Sequence, residues 1–255
     1  MAEFRKKKLY TPLQNETFEL SRSKIQLFME CPRCFYLDRT EKYRKSRPSG
    51  PMSYIPTAID TLLKNDFDKY RSDQQVHPYL IENNLQLVPY KHQDIDIWRN
   101  NRKGITYHDQ NTNLLISGAI DDCWYDTQSK KIFLADYKTT TEKIDKKTGD
   151  FIHPDLNEKG APYKYWYKKQ IEIYSWIFKK NGFDLSNTAY FLFCSALYKS
   201  VRSFNNKLEF KINIVSYDLD DTWVDNTLVN LKKVLDRDQL PDKSLNCNYC
   251  NYLNI

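Results

Sequence analysis

At 255 residues the chain is long enough to bury a core without disulfide staples, and it suits one large domain or one domain with an appended lobe. Its 40% hydrophobic and 28% charged residues are ordinary for a soluble globular protein, and no apolar run approaches a bilayer span, which argues against a membrane protein. The formal charge of +6, with pI near 8.8, is compatible with a polyanionic partner without requiring one. The start, Met1 to Lys8, has charge but no apolar stretch after it, so it does not read as a signal peptide, and a cytoplasmic location is expected.

In chain order, residues 21–31 read as a helix, with Ser21 as its cap and Ile25, Phe28 and Met29 on one stripe. A basic loop (42–56) leads to a second helix over 57–70. Residues 72–113 look irregular and polar, with a turn at 100–104. Two strands follow, 114–125 and 131–138, separated by the turn-rich Asp126-Thr-Gln-Ser129. A loop over 139–162 precedes a long helix, 163–180, closed by Asn181-Gly182. Strands at 189–198 and 208–219 and a helix at 221–235 complete the order, and the tail 241–255 is loop-like. This succession indicates an α/β fold with a mixed central sheet flanked by helices. Residues 1–255 are expected to form one domain: an N-terminal helical segment over 21–70, a core over 114–220 and a C-terminal segment over 221–255. Basic runs at 5–8, 42–47 and 164–180 are each either a solvated face or part of a nucleic-acid surface.

The chemistry concentrates in two places. In a strand, residues two apart share a face, so Asp136 and Lys138 of Ile132-Phe-Leu-Ala-Asp-Tyr-Lys138 point the same way as Ile132 and Leu134. A carboxylate and an ammonium on an apolar face are costly unless paired or used. Just upstream, Ser117-Gly-Ala-Ile-Asp121 ends an apolar strand with another carboxylate. Two carboxylates and a lysine suit phosphodiester hydrolysis: the acids hold Mg²⁺, which activates water, and the lysine steadies the developing charge. Two solvated strand-end aspartates with a paired lysine would read the same way on spacing alone. The long helix adds a discriminating feature. At about 100° per residue its core-facing stripe is Tyr163, Trp166, Tyr167, Gln170, Ile173, Tyr174 and Ile177, with Lys164, Lys168, Glu172 and Lys179 on the other side. Gln170 is therefore an amide in an aromatic stripe, in need of polar partners.

Taken in order, Gly118-x-x-Asp121, Asp136-Tyr137-Lys138 and Gln170-x-x-x-Tyr174 resemble the motifs of the PD-(D/E)XK nuclease superfamily, RecB-like branch. That group includes helicase–nuclease nuclease domains and CRISPR-associated RecB-like exonucleases. The resemblance spans residues 23–250 and implies a restriction-endonuclease-like core and Mg²⁺- or Mn²⁺-dependent cleavage of DNA, in recombination, repair or phage DNA metabolism. By that resemblance Asp121 and Asp136 are metal ligands, the Tyr137 carbonyl offers a third, Lys138 is catalytic, and Gln170 and Tyr174 support it. Asp122 is a rival ligand but faces with Ile116 and Ile120, whereas Asp121 faces with the small Ser117 and Ala119. The family often supplies an early histidine ligand, and none occurs before His77 here. Asp60, on the helical face of Leu63 and Phe67, is the candidate replacement, whereas Asp66 and Asp68 lie off that face; helix-dipole stabilisation also explains an acidic residue there.

The second place is cysteine-based. Cys123 and Cys194 stand alone in apparent strands, as core residues would. Cys31-Pro-Arg-Cys34 and Cys247-Asn-Tyr-Cys250 have the spacing of one four-thiolate metal site that joins head to tail. The family resemblance favours a [4Fe–4S] cluster, while the two-and-two arrangement is the commoner one for structural Zn²⁺. DNA is the expected partner, with a separate helicase or recombination subunit supplying any motor, since no G-x-x-x-x-G-K sequence is present. A non-catalytic nucleic-acid-binding module or an interaction subunit on the same fold is the alternative.

Overall fold

The computed structural model describes residues 9–40, 46–48, 50, 53–159, 161, 163–199 and 203–253. The basic run at 5–8, residues 42–45 of the second run, parts of the loops around 49–52 and 160–162, and the last two residues of the tail lie outside the described residues. The contacts group the chain into two compact units. One comprises 1–51, 106–117 and 222–255, and the other 52–105 and 118–221.

In the first unit, β1 (Phe18–Ser21) pairs in parallel with β4 (Leu114–Gly118), which also borders β3 (Ile105–Asp109). Helix α1 (Arg22–Glu30) follows Ser21, whose hydroxyl bonds Ser23 rather than capping the helix, and only Ile25 of the expected stripe is fully buried. The expected single helix ends at Cys31, in extended backbone. Pro32, its φ already helical, then starts a second helix, α2 (Pro32–Arg39). It packs on α7 (Val224–Leu235), which buries Val224, Leu228, Leu231 and Leu235, a 3.6-residue stripe. The tail is not all loop: α8 (Asn248–Leu253) carries Cys250 inward.

The second unit is built on a five-stranded sheet of order β10-β9-β6-β5-β2: Glu209–Asp218, Thr188–Leu197, Ile132–Thr141, Asp122–Tyr125 and Val88–Pro89. The β6–β9 pair is parallel and the others antiparallel. A parallel pair needs a crossover, and α6 (Tyr163–Lys180) provides it. Helix α3 (Tyr54–Asp73) is longer at both ends than expected; its Leu63 and Phe67 bury against Trp124, Ala135, Tyr137, Leu192 and Cys194. Tyr137 faces α3, so by alternation Asp136 and Lys138 face α6.

Further expectations are corrected by the sheet and helix packing. The strand anticipated over 114–125 is two strands in different sheets, because residues 119–121 leave both ladders and the Ile120 amide bonds the Trp98 carbonyl at 3.1 Å. The stretch 72–113, read as irregular and polar, contains α4 (Pro78–Glu82), β2, α5 (Ile95–Trp98) and β3, and buries Leu80, Leu87, Val88, Ile95 and Trp98. Elements of two to five residues are too short to show a period, and aromatic packing such as His92 on Trp98 at 4.3 Å holds them. Finally, Lys164 and Glu172 of α6, expected on the solvent side, are buried. Each is neutralised locally, Lys164 by Glu158 at 2.6 Å and Glu172 by Lys169 at 2.7 Å. The loop expected over 139–162 includes a short hairpin, β7 (Lys143–Ile144) with β8 (Phe151–Ile152). Cys123 and Cys194 are core residues. Among the described residues no helix is long and apolar enough to cross a membrane.

Candidate functional site

In the second unit, Asp136 and Lys138 share a face, and the Lys138 ammonium contacts the Asp136 carboxylate. The same ammonium lies 3.5 Å from Gln170 Oε1 and 4.6 Å from the centre of the Tyr167 ring. Burial works against its charge, yet Asp136 and Asp121 outweigh that and raise its pKa above the ordinary lysine value. Lys138 is therefore a fixed cation near neutral pH. Gln170 is half-buried; its amide donates to the Tyr174 hydroxyl at 3.2 Å, leaving its carbonyl oxygen directed to Lys138. That chain, Tyr174 to Gln170 to Lys138, supplies the partners the amide needed.

Asp121 sits in the break between β4 and β5 and accepts the Tyr137 backbone N–H at 2.8 Å. Its other oxygen is 3.5 Å from the Lys64 ammonium, which is 2.8 Å from Asp60. Burial, then the nearby Asp121 charge, raises the Asp60 pKa, while burial disfavours and the two carboxylates restore the charge on Lys64. Lys64 was missed in the sequence because Asp60 and Lys64 are four apart on a helix, the spacing of an ordinary surface pair. Asp122 has a different occupation. It is fully buried, 2.5 Å from the Arg71 guanidinium, and accepts the Tyr137 hydroxyl at 2.7 Å and the Cys123 amide at 2.8 Å. With a guanidinium and two further donors, it anchors α3 to the sheet.

The carboxylate side chains expected to hold Mg²⁺ are hard oxygen donors of the right chemistry. Among the described residues, however, no three acidic or imidazole groups close to within 4.8 Å of one another, and only the cysteines do so. The ammonium groups of Lys64 and Lys138 lie among Asp60, Asp121 and Asp136, where a cation would be attracted.

Gly118 has a packing reason of its own. A Cβ there would lie 2.6 Å and 2.8 Å from two carbons of the Tyr174 ring, well inside contact distance. Gly118→Ala is therefore expected to push Tyr174 off its seat, with loss of order about 1–3 kcal/mol of stability, readable as a lowered melting temperature. An unchanged melt and unchanged Gln170 geometry in a crystal of the variant would contradict that.

In the first unit, Cys31, Cys34, Cys247 and Cys250 converge as the sequence spacing anticipated. All four are buried, with sulfurs within 4.8 Å of one another and Cys34 Sγ 3.5 Å from Cys247 and 3.3 Å from Cys250. Burial pushes Cys34 up to about 11, whereas for Cys247 the Cys250 amide and neighbouring thiols overcome burial and pull it down to about 6. Arg47 donates to Cys247 Sγ at 3.4 Å and pairs with Glu30 at 2.6 Å, placing a cation beside the Cys247 sulfur. The group joins the N- and C-terminal segments of its unit and can hold a metal centre.

A scan against protein-family models and a search of curated proteins find no match to this chain.

Proposed function

We propose that the protein is a divalent-metal-dependent DNA nuclease of the PD-(D/E)XK type, close in its motif order to the RecB-like branch, acting in recombination, repair or phage DNA metabolism. The observation that carries this reading is the convergence of Asp121, Asp136, Lys138 and Gln170 at one point of the second unit. Asp121 and Asp136, with Asp60 and the Tyr137 carbonyl as further donors, are the residues that would hold Mg²⁺ or Mn²⁺. The metal would supply charge neutralisation and water activation at the phosphate. Lys138, a permanent cation, orients the attacking water and stabilises charge developing on the phosphate oxygens. Gln170 holds the Lys138 ammonium in place, and Tyr174, seated on Gly118, holds Gln170. Lys64 lies between Asp60 and Asp121, so a metal held by these two carboxylates would take the place of its ammonium.

The same lysines favour one competing reading. With Lys64 and Lys138 neutralising the acidic groups, this face can meet phosphate without metal, as a non-catalytic nucleic-acid-binding module would. Incubating purified protein with end-labelled linear and with circular DNA, in Mg²⁺, Mn²⁺ or EDTA, separates the two. Products only in metal support the nuclease; salt-sensitive binding with no products in either metal replaces it with the binding module.

For the cysteine centre the sulfur spacing favours a single ion. Four thiolates about 2.3 Å from one tetrahedral Zn²⁺ stand about 3.8 Å apart. The observed 3.3–3.8 Å pairs fit that. A cubane cluster needs its four ligating sulfurs farther apart than the four ligands of one ion, and this group lies within 4.8 Å. This spacing supports structural Zn²⁺ as the occupant, with the [4Fe–4S] cluster that the family resemblance implies as the alternative.

A further inference from the structure

We propose that an apolar groove between α3 and β10 is the interface through which two copies of this chain associate, each setting its α3 into the groove of the other; nothing in this rests on the nuclease reading. All of the residues concerned belong to the second unit. Leu63 and Phe67 of α3 cover side chains of β5, β6 and β9, but β10 adds no fully buried side chain to that core, and its Phe210, Ile212 and Ile214 are only partly covered. β10 is also the last strand of its sheet, with no described strand on its outer side. At about 4.8 Å between strands, the open strip over β9 and β10 is about as wide as one helix.

The groove holds about 400 Å³, with Ile59 and Leu62 of α3 in its wall and Cys194, Phe210 and Ile212 in its floor. Leu62 is 67% exposed although it stands in that wall; Ile55, two turns earlier, is 65% exposed and Tyr54 is 73% exposed. Ile55, Ile59 and Leu62 are spaced four and three apart, the spacing of a seam where one helix packs on another. Among the described residues, no other helix of eight or more residues leaves a leucine or isoleucine so exposed. Alternation along β9 and β10 brings Tyr198 and Leu208, the next pair beyond Leu197 and Glu209, to the same face, where both are exposed.

Charge selects the kind of occupant. The charged side chains of the lining, Asp66 and Lys69, pair with each other at 3.1 Å, so the groove is neutral in a chain of formal charge +6. A polyanion finds no excess of positive charge there, and a second copy meets no repulsion. Shape then selects the second copy. The ridge of Ile55 and Leu62 and the groove that receives it lie on one surface, as an isologous two-fold contact requires. At about 150–200 Å² for a fully exposed large side chain, Tyr54, Ile55, Leu62, Tyr198 and Leu208 present on the order of 500 Å² per copy. The groove floor adds to this, towards the ~800 Å² that each partner of a standard interface buries.

The test is the mass of the full chain in solution without DNA. Sedimentation equilibrium over about 1–100 µM should give a mass rising from 30.5 kDa towards twice that value. Leu62→Glu should raise the dimer dissociation constant at least about thirtyfold, because it carries a carboxylate into an apolar contact. Its melting temperature at low concentration should stay that of the wild type, since the side chain is exposed in the single copy. Ile55→Glu should act likewise, whereas Leu245→Glu, at a side chain 90% exposed in the first unit, should leave the dimer intact. A 30.5 kDa species alone at about 100 µM, or a dimer that both Leu62→Glu and Ile55→Glu leave intact, overturns the proposal. So does a mass that doubles only when DNA is added, since nucleic acid would then be the bridge.

Discussion

Lys138→Met is expected to lower Mg²⁺-dependent DNA cleavage by about a thousandfold or more, with binding in EDTA falling far less, because the lost interaction belongs to the transition state. The ammonium is held by Asp136, Gln170 and the face of Tyr167, and its raised pKa keeps it charged. Lys138 therefore cannot be the proton acceptor near neutral pH, and its contribution should show no loss by deprotonation below about pH 10. Removing it leaves the buried Asp136 carboxylate short of its cation, which destabilises the unit, so melting curves must accompany the rates. Asp136→Asn is the companion variant: it removes a proposed metal ligand with little change of shape and should lose activity to a similar extent. Lys64→Met tests the cation exchange from the other side. It should tighten the Mg²⁺ dependence, since the metal no longer competes with an ammonium for Asp60 and Asp121. Wild-type rates in Lys138→Met or Asp136→Asn would end the catalytic assignment.

The second large effect lies in the first unit. Cys250→Ser should lower the melting temperature by about 10 °C or more, because a structural four-thiolate zinc contributes on the order of 10 kcal/mol that the unfolded chain cannot recover. Cys194→Ser, at a buried thiol packed with the second unit's core, should do much less. Purified anaerobically, the protein should be colourless with about one zinc per chain. A brown protein with several irons per chain would restore the cluster, and would mean that the sulfurs spread beyond their 4.8 Å grouping to admit it. Loss of neither stability nor metal in Cys250→Ser would remove the centre altogether. Arg47 and Glu30 sharpen the design: Arg47→Ala takes a cation from beside Cys247 and should weaken metal retention against a chelator without removing a ligand.

Local chemistry made several of these features legible in the sequence. Alternation along β6 put Asp136 and Lys138 on one face, since the period of a strand is two whatever it packs against. Caps and periodicity gave the bounds of α6, and C-x-x-C spacing announced that 31, 34, 247 and 250 belong together, because thiolates at that spacing serve one centre. The choice of Asp121 over Asp122 was reached by carrying alternation through 116–122. The chain in fact leaves its ladder at 119–121, and Asp122 is engaged by Arg71 from 51 positions away, a partner no local pattern indicates.

What only the tertiary structure decided has one physical root: side chains distant in sequence meet, and their charges and volumes must then be reconciled. Lys64 comes to Asp121 because α3 lies against β6, so a helix-surface pair becomes part of the candidate site. Lys164 and Glu172 go inside because Glu158 and Lys169 neutralise them there. Gly118 must be glycine because Tyr174, from another element, takes the space of its Cβ. Periodicity reports which face of an element is apolar; which charge, ring or hydroxyl it meets depends on long-range packing, where burial makes every unpaired polar group costly.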